Sequence, residues 1–473
     1  MRTPVLGCIP LFALPSGGKA VDSRRPMSTA SPVLPAPVST SSRALGPEAW
    51  WVVGILLLAL ISRTAVVGVR SAELNVERDA YLGMAQGIRD GRGLSVPGTT
   101  QPTAFRPPLY PLLLAPISAP EQAWLRGLLQ VVLGTATAGL TWLIARRLLD
   151  SAREARLAAG FVAIDPLLLL YTPQIMTETL ATFLAAAALT LLTGEPAGWS
   201  RRRQIAIGFV LGLACLCRPT FLPWTAALAC WTAVRVLAGQ RQEADVESWS
   251  VRLRHLPWLI LVAIVLTIAP WPIRNALRMG RPVVTTTHGG YTLLLSNNPA
   301  YDAEVVRAGT GGVWSGPSLD RWQRDLQSEM AAQGISGELA QDEWMKAAAL
   351  RWIADHPSRF VAACGQRFTS LWRILPGQES VPVSTAAWGV AVFYGTQWVL
   401  ALLGLWNLRG ALTRFLPALL LIVTISATHA VYFSNARMRA PLVPVLAILA
   451  AKGLAGLLRS PANVNSAAAT AGG

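Results

Sequence analysis

Charge is scarce in this chain: 14% of its 473 residues are charged, and lysine occurs only at Lys19, Lys346 and Lys452. Soluble domains carry about 25% charged residues, so a wholly soluble protein is excluded. Cysteine is sparse too, at Cys8, Cys215, Cys217, Cys230 and Cys364. That spacing fits neither a zinc site nor a redox pair, and no disulfide framework is implied. A phosphate-cradling Gly-x-x-x-x-Gly-Lys stretch is missing, which removes the usual signature of nucleotide chemistry. The net charge of +16 is carried almost wholly by arginine. Its cations sit between apolar windows and not on one soluble face, so nucleic acid is not an expected partner.

What is abundant is apolar sequence: 52% of residues are hydrophobic and the mean hydropathy is +0.42. Windows near twenty residues long recur, as membrane spans require. The expected fold is therefore all-α, a polytopic transmembrane helical bundle of about ten spans. These fall near Trp50–Val67, Trp124–Leu148, Leu157–Leu170, Thr179–Leu192, Ile205–Cys217, Phe221–Val236, Leu256–Trp271, Ala386–Trp406, Phe415–Tyr432 and Leu442–Leu458. Pro107–Ile117 is apolar but broken by proline, and reads as a membrane-edge or re-entrant piece. Residues 1–45 and 460–473 are low-complexity tails expected to be disordered, with Met27 a second candidate start.

Arginines crowd four short loops: Arg146, Arg147, Arg153 and Arg156; Arg201–Arg203; Arg235, Arg241, Arg252 and Arg254; Arg409 and Arg414. By the positive-inside rule these loops and both termini face the cytoplasm. The polar segments 70–106 and 274–382 then face outward, the first with a short amphipathic helix near Asp79–Arg89. The implied organisation is a transmembrane module over 46–273, an extracytoplasmic segment over 274–382 and C-terminal spans over 383–459.

Five arginines lie outside that charge rule. Arg106, Arg218, Arg274, Arg437 and Arg439 abut spans at the outer edge, where a cation near lipid is costly unless paired. Two readings apply: the side chains snorkel to the interface, or their guanidinium forks await a phosphate. Acids at the same edge are few. Glu77 and Asp79 follow the first span, and either a general base or a helix cap fits them. Glu178 opens another span, where an acid also suits a helix N-terminus. Five tryptophans, Trp314, Trp322, Trp344, Trp352 and Trp372, occupy the outer segment; they suit sugar rings and small cores alike. The helical stretch Gln341–Leu371 is expected to lie on the membrane or cover the site. His288 and His429 have no ligand-spaced neighbours.

The order of several short motifs carries a resemblance. Glu77-Arg-Asp-Ala-Tyr81, Gly91-Arg-Gly93 and Pro102-Thr-Ala-Phe-Arg-Pro-Pro-Leu-Tyr-Pro111 come first. Met176-Thr-Glu-Thr179, Gly212-Leu-Ala214 with Arg218-Pro219, and Pro270-Trp-Pro-Ile-Arg-Asn275 follow. Gly289-Gly290, Asn297-Asn-Pro299 and Arg437-Met-Arg-Ala-Pro-Leu-Val-Pro444 close the series. Over about residues 50–458 this resembles the GT-C glycosyltransferases. Within them it is most similar to the bacterial relatives of protein O-mannosyltransferases and to the lipid A aminoarabinose transferase.

The resemblance implies a transferase that takes its sugar from a polyprenyl-phosphate donor in the plasma membrane. It would pass the sugar, with inversion, to an extracytoplasmic acceptor: a lipid, a cell-envelope glycan or a protein. Relatives place an Asp-Glu pair before an aromatic residue; here Glu77 and Asp79 are split by Arg78. Asp79 is the favoured catalytic base, with Glu77 as partner or substitute. Glu178, Tyr81 and Arg106 would position acceptor or sugar. Arg218, Arg274, Arg437 and Arg439 would hold the lipid phosphate. A divalent metal is left open, since relatives with paired acids use one. A transporter or flippase, or a polymerase, of lipid-linked saccharides is the alternative.

Overall fold

In a computed structural model of the chain, the described residues are 47–194, 199–239, 258–308, 314–374 and 385–458. Among them the structure is helical, with no strand beyond an isolated bridge between Ser95 and Pro102. Both tails lie outside the described residues, as do Arg241, Arg252 and Arg254.

Helix α1 (Pro47–Val69) leads into a loop that carries α2 (Tyr81–Arg89) and the short α3 (Leu109–Leu114). A membrane-length α4 (Ala123–Leu148) follows, then α5 (Ala152–Ala163), α6 (Pro166–Tyr171), α7 (Glu178–Leu192), α8 (Arg201–Cys217) and α9 (Leu222–Gly239). Helices α10 (Trp258–Ile268) and α11 (Pro270–Met279) run on almost continuously. The segment between the bundle halves contributes α12 (Gly289–Leu295), α13 (Pro317–Ala332), α14 (Glu338–Asp355) and α15 (Pro357–Leu371). Helices α16 (Thr385–Asn407), α17 (Leu412–Val431) and α18 (Val443–Leu457) close the chain.

Among the described residues six helical stretches are long and apolar enough to cross a membrane: Glu48–Val69, Pro120–Leu148, Trp258–Met279, Ala387–Asn407, Leu412–Val431 and Ala436–Leu457. That measure does not reach the expected ten. Helix α7 is apolar but only 15 residues long, and α8 has 17 residues with three arginines in its first turn. The expected span Leu157–Leu170 is broken between α5 and α6. Pro166 has no N–H to continue the ladder, and the residue before a proline is pushed out of the α region. The break is then capped twice. Asp165 accepts from Leu168 N at 3.0 Å, while Arg63 of α1 donates to the freed carbonyls of Val162 and Ala163, each at 3.0 Å. A buried guanidinium inside the bundle is thereby spent on structure.

The final span is also the most enclosed, with 78% of its window buried against 11% for α1. Its crossing with α16 is close because both sides are glycine. A Cβ on Gly404 would strike the Leu449 carbonyl, and one on Gly453 would strike that of Leu400. Small residues at such crossings let membrane helices approach backbone to backbone.

The two ends of the bundle differ in chemistry. At one end Arg146 pairs with Glu48 at 3.1 Å. There Arg147 donates to Thr190 O at 2.6 Å and Arg203 to Leu191 O at 2.8 Å. Guanidinium groups thus cap the C-terminal carbonyls of α7. The loop between α1 and α4 forms the other end, and there the candidate acids gather.

Candidate active site

Arg126 of α4 fixes the loop that follows α1. Fully buried, it donates to Leu74 O at 3.0 Å, Ile117 O at 2.6 Å and Ala119 O at 2.7 Å. The chain then turns sharply into α2. Glu77 supplies the cap, its carboxylate accepting from Gly83 N at 2.6 Å and Leu82 N at 3.4 Å. Asp79 and Ala80 sit at φ of +56° and +65°, a left-handed conformation that non-glycine residues adopt at a cost of about 1–3 kcal/mol each. Of the two acids offered by the sequence, Glu77 is therefore the helix cap. Asp79 is left facing the bundle.

Asp79 is held by two arginines brought from distant parts of the chain. Arg106 donates through Nη2 to Oδ1 at 2.8 Å and through Nε to the Asp79 carbonyl at 2.9 Å. Arg437 donates to Oδ2 at 3.4 Å. The same Arg437 lies 3.7 Å from Glu178, which Arg218 grips at 2.6 Å. Thr177 fixes Arg218 in turn, accepting from its Nε at 2.7 Å. Three guanidinium groups thus face two carboxylates, an excess of one positive charge. Glu178 is almost fully enclosed, and its Oε2 has no hydrogen-bond partner among the described residues. Burial works to raise the Asp79 pKa, but Arg106 and then Arg437 outweigh it and hold the carboxyl below its ordinary value.

Aromatic rings line the same wall. Tyr81 meets Tyr110 edge-on at 5.3 Å, and the Tyr110 hydroxyl accepts from Gln130 at 3.0 Å. Arg106 lies 4.8 Å from the Phe105 ring centroid and 5.6 Å from that of Tyr81. Burial pushes the Tyr81 phenol up to about 12, so it remains a neutral donor at physiological pH.

Two of the expected phosphate ligands are not brought to this cluster. Arg439 follows Arg437 by two residues in the tight turn Ala436–Leu442, and that spacing sends it the other way. It is buried over the Tyr394 ring at 4.4 Å and donates to the carbonyls of Leu371 at 3.0 Å and Arg373 at 2.6 Å. Arg274 donates to Thr103 O at 2.8 Å and to Leu94 O, stapling the loop to α11. Arg106 clamps Asp79 instead of standing free for an acceptor. Thr177, inside the motif Met176-Thr-Glu-Thr179, was not singled out from the sequence, although its place beside Glu178 was a signal. The donor set does not suit a divalent cation either: both Asp79 oxygens and one Glu178 oxygen face guanidinium, and among the described residues no three His, Cys, Asp or Glu side chains converge.

Residues 106–272 match the dolichyl-phosphate-mannose-protein mannosyltransferase family. The matched stretch holds Arg106, Glu178 and Arg218, but neither Asp79 nor Arg437. No curated protein matches the chain. Among solved structures, the apo oligosaccharyltransferase of Archaeoglobus fulgidus is similar at a TM-score of 0.50, with 12% identity over 86% of this chain and 50% of that one. The archaeal oligosaccharyltransferase AglB of the same organism, in complex with an inhibitory peptide and a dolichol-phosphate, gives 0.49 at 12% identity over 87% and 50%. ArnT from Cupriavidus metallidurans bound to undecaprenyl phosphate gives 0.38 at 13% identity over 86% and 78%. The chain spans about half the length of the oligosaccharyltransferases. The resemblance to the GT-C glycosyltransferases read from the motif order is thus met by the family match and by a shared helical fold.

Proposed function

We propose that this chain is a membrane glycosyltransferase that moves a hexosyl or pentosyl group from a polyprenyl-phosphate donor to an acceptor outside the cytoplasm. The observation that carries the reading is the convergence of Asp79 and Glu178 with Arg106, Arg218 and Arg437 at one end of the bundle. The excess positive charge suits a phosphate, and the acids supply a proton acceptor beside it.

In this mechanism the acceptor oxygen attacks the anomeric carbon from the face opposite the lipid phosphate. Its proton passes to an Asp79 carboxylate oxygen, while the C–O bond to phosphate breaks and its electron pair stays on the phosphate. One displacement inverts the anomeric centre. An acid with a lowered pKa is a weak base, so the proton moves late, once the new C–O bond has made the hydroxyl acidic. Arg437 and Arg218 meet the growing phosphate charge, and preorganised cations help most where charge develops. Glu178 holds both in place. Arg106 fixes the position of Asp79, and Tyr81, whose ring lies 5.6 Å from the Arg106 guanidinium, would position the acceptor or sugar.

The arginine-rich end of the bundle supports a cytoplasmic assignment for that side and for both termini in a plasma membrane, which puts the Asp79 end outside. We assign 46–273 as the catalytic module, 274–382 as an extracytoplasmic segment and 383–459 as closing spans. A flippase would need charged groups free along a mid-membrane path; Arg63 and Arg126 are instead consumed in capping carbonyls. The test is sugar transfer in proteoliposomes supplied with a panel of polyprenyl-phosphate sugars and membrane acceptors. Asp79→Asn is expected to lose about 10²–10⁴-fold in rate. Full transfer by this variant overturns the base assignment, and sugar movement across the bilayer without transfer favours the flippase.

A further inference from the structure

Next to Asp79 runs a line of rings that the transfer chemistry leaves unused. Phe105, adjacent in sequence to the Asp79 clamp Arg106, meets His288 edge-on at 4.4 Å. His288 stacks on Tyr291 at 5.1 Å, and Tyr291 leads to Trp322 at 6.1 Å. All four residues are half-buried and none is fully enclosed. The run therefore passes from Phe105, beside the Asp79 clamp Arg106, into the segment that holds α12 to α15.

This stretch is built rigidly. Thr287 donates its N–H to Ala104 O at 3.0 Å and its hydroxyl to Glu338. Glu338 also accepts from Thr103 Oγ1 at 2.6 Å and Ala104 N at 2.8 Å. Gly290 donates to Asp342 at 2.7 Å, so close to α14 that any Cβ there would collide with the Asp342 carbonyl. Tyr291 is held through its hydroxyl, which accepts from Gln323 at 2.6 Å. Ordered on both flanks, the His288 imidazole still makes no hydrogen bond among the described residues. Its Nδ1 is enclosed and unpartnered, which leaves Nε2 as the nitrogen able to meet a ligand. Burial and then Arg106 push its pKa down to about 3, so the ring is neutral at physiological pH and interacts as a dipole, not a cation.

We propose that Phe105, His288 and Tyr291 form an acceptor subsite for a sugar ring, with the ring's C–H face on the aromatic surface and one hydroxyl bonded to His288 Nε2. A carbohydrate is the acceptor chemistry this surface fits: flat apolar rings, an uncharged hydrogen-bonding group with no partner, and no free cation or carboxylate among the three. Placed there, the acceptor's next hydroxyl lies toward Asp79, the direction of attack. The inference rests on the transferase reading and narrows its acceptor to a glycan.

The experiment is saturation-transfer NMR on the full-length protein in nanodiscs, using a panel of methyl hexosides and pentosides without donor. Wild type is expected to give transfer to at least one glycoside, persisting when polyprenyl phosphate is added. His288→Leu should weaken it roughly tenfold, the value of about one hydrogen bond. His288→Gln, which keeps a polar group near the Nε2 position, should restore much of it, and Tyr291→Leu should weaken it with His288 intact. Lack of signal from every glycoside, signal from a serine- or threonine-containing peptide only, displacement by polyprenyl phosphate, or equal signal in folded His288→Leu protein would each overturn the subsite. Because no donor turns over, these outcomes are separate from failure of the transferase reading, which the wild-type proteoliposome assay reports.

Discussion

Removing the Arg106 guanidinium tests the site more sharply than removing Asp79 itself. Asp79 is buried enough that desolvation alone would lift its pKa, yet it lies below the ordinary value because Arg106, and after it Arg437, stabilise the charged form. Arg106 is the closer partner, 2.8 Å from Oδ1 against 3.4 Å for Arg437, and it also holds the Asp79 carbonyl at 2.9 Å. In Arg106→Gln the main opposing charge is gone while burial remains. The carboxyl pKa must therefore rise, and the acid limb of the pH–rate profile must move up with it. In wild type that limb belongs below the reference Asp value of about 3.9, since a lowered pKa keeps the base ionised to more acidic pH. The variant also loses two charge-assisted hydrogen bonds on a strained turn, at about 1.5–3 kcal/mol for each. Taking about 3 kcal/mol for the pair, because such losses are not additive, transfer at neutral pH should fall roughly a hundredfold. The assay is the initial rate of sugar transfer in proteoliposomes followed from about one unit below the reference Asp value up to neutral pH, with thermal unfolding followed in parallel. A variant that slows without any upward movement of the acid limb would refute the claim that Arg106 sets the ionisation of Asp79.

The bundle could be read from sequence because membrane spans announce themselves by length and apolarity; α1, α4, α16, α17 and α18 lie within a few residues of the expected windows. What the windows could not show was interruption. A hydropathy average passes over Pro166, so the expected span Leu157–Leu170 gave no sign of becoming α5 and α6 with Arg63 closing the gap. The site was half legible. Acids and arginines at one edge stood out against a background poor in charge, and Asp79, Glu178, Arg218 and Arg437 do converge. The division of roles between close neighbours did not stand out. Glu77 and Asp79 are two residues apart, and which one caps α2 depends on the left-handed φ at Asp79 and Ala80, which no residue-type pattern signals. Arg437 and Arg439 share a motif, yet the tight turn sends one to the acids and the other to Tyr394. Spacing along a span edge fixes depth but not azimuth, and azimuth decides which cation meets the acids.

Other consequences follow from the same contacts. Glu77→Ala should cost about 1 kcal/mol of stability, the usual value of a helix cap, and leave the pH profile of transfer in place, which a thermal scan and a rate profile together would check. Arg439→Ala uncovers two buried carbonyls and should lower stability by about 3 kcal/mol, whereas Arg437→Ala should chiefly raise the KM for the lipid-phosphate donor; equal effects on donor KM would contradict the division between them. At the crossing of α16 and α18, Gly404→Ala and Gly453→Ala should each destabilise by about 1–3 kcal/mol, since each added methyl meets a facing carbonyl. The pair decides between two mechanisms for that loss. If the cost is separation of the helices, the first methyl already moves them apart and the second finds room, so the double variant should lose less than the sum of the singles. If the cost is a local loss of helix order at each glycine, the two losses should add, because the sites would then act independently. Melting temperatures of the four proteins in one detergent separate these cases, and simple additivity would rule out the close backbone approach as the reason for both glycines.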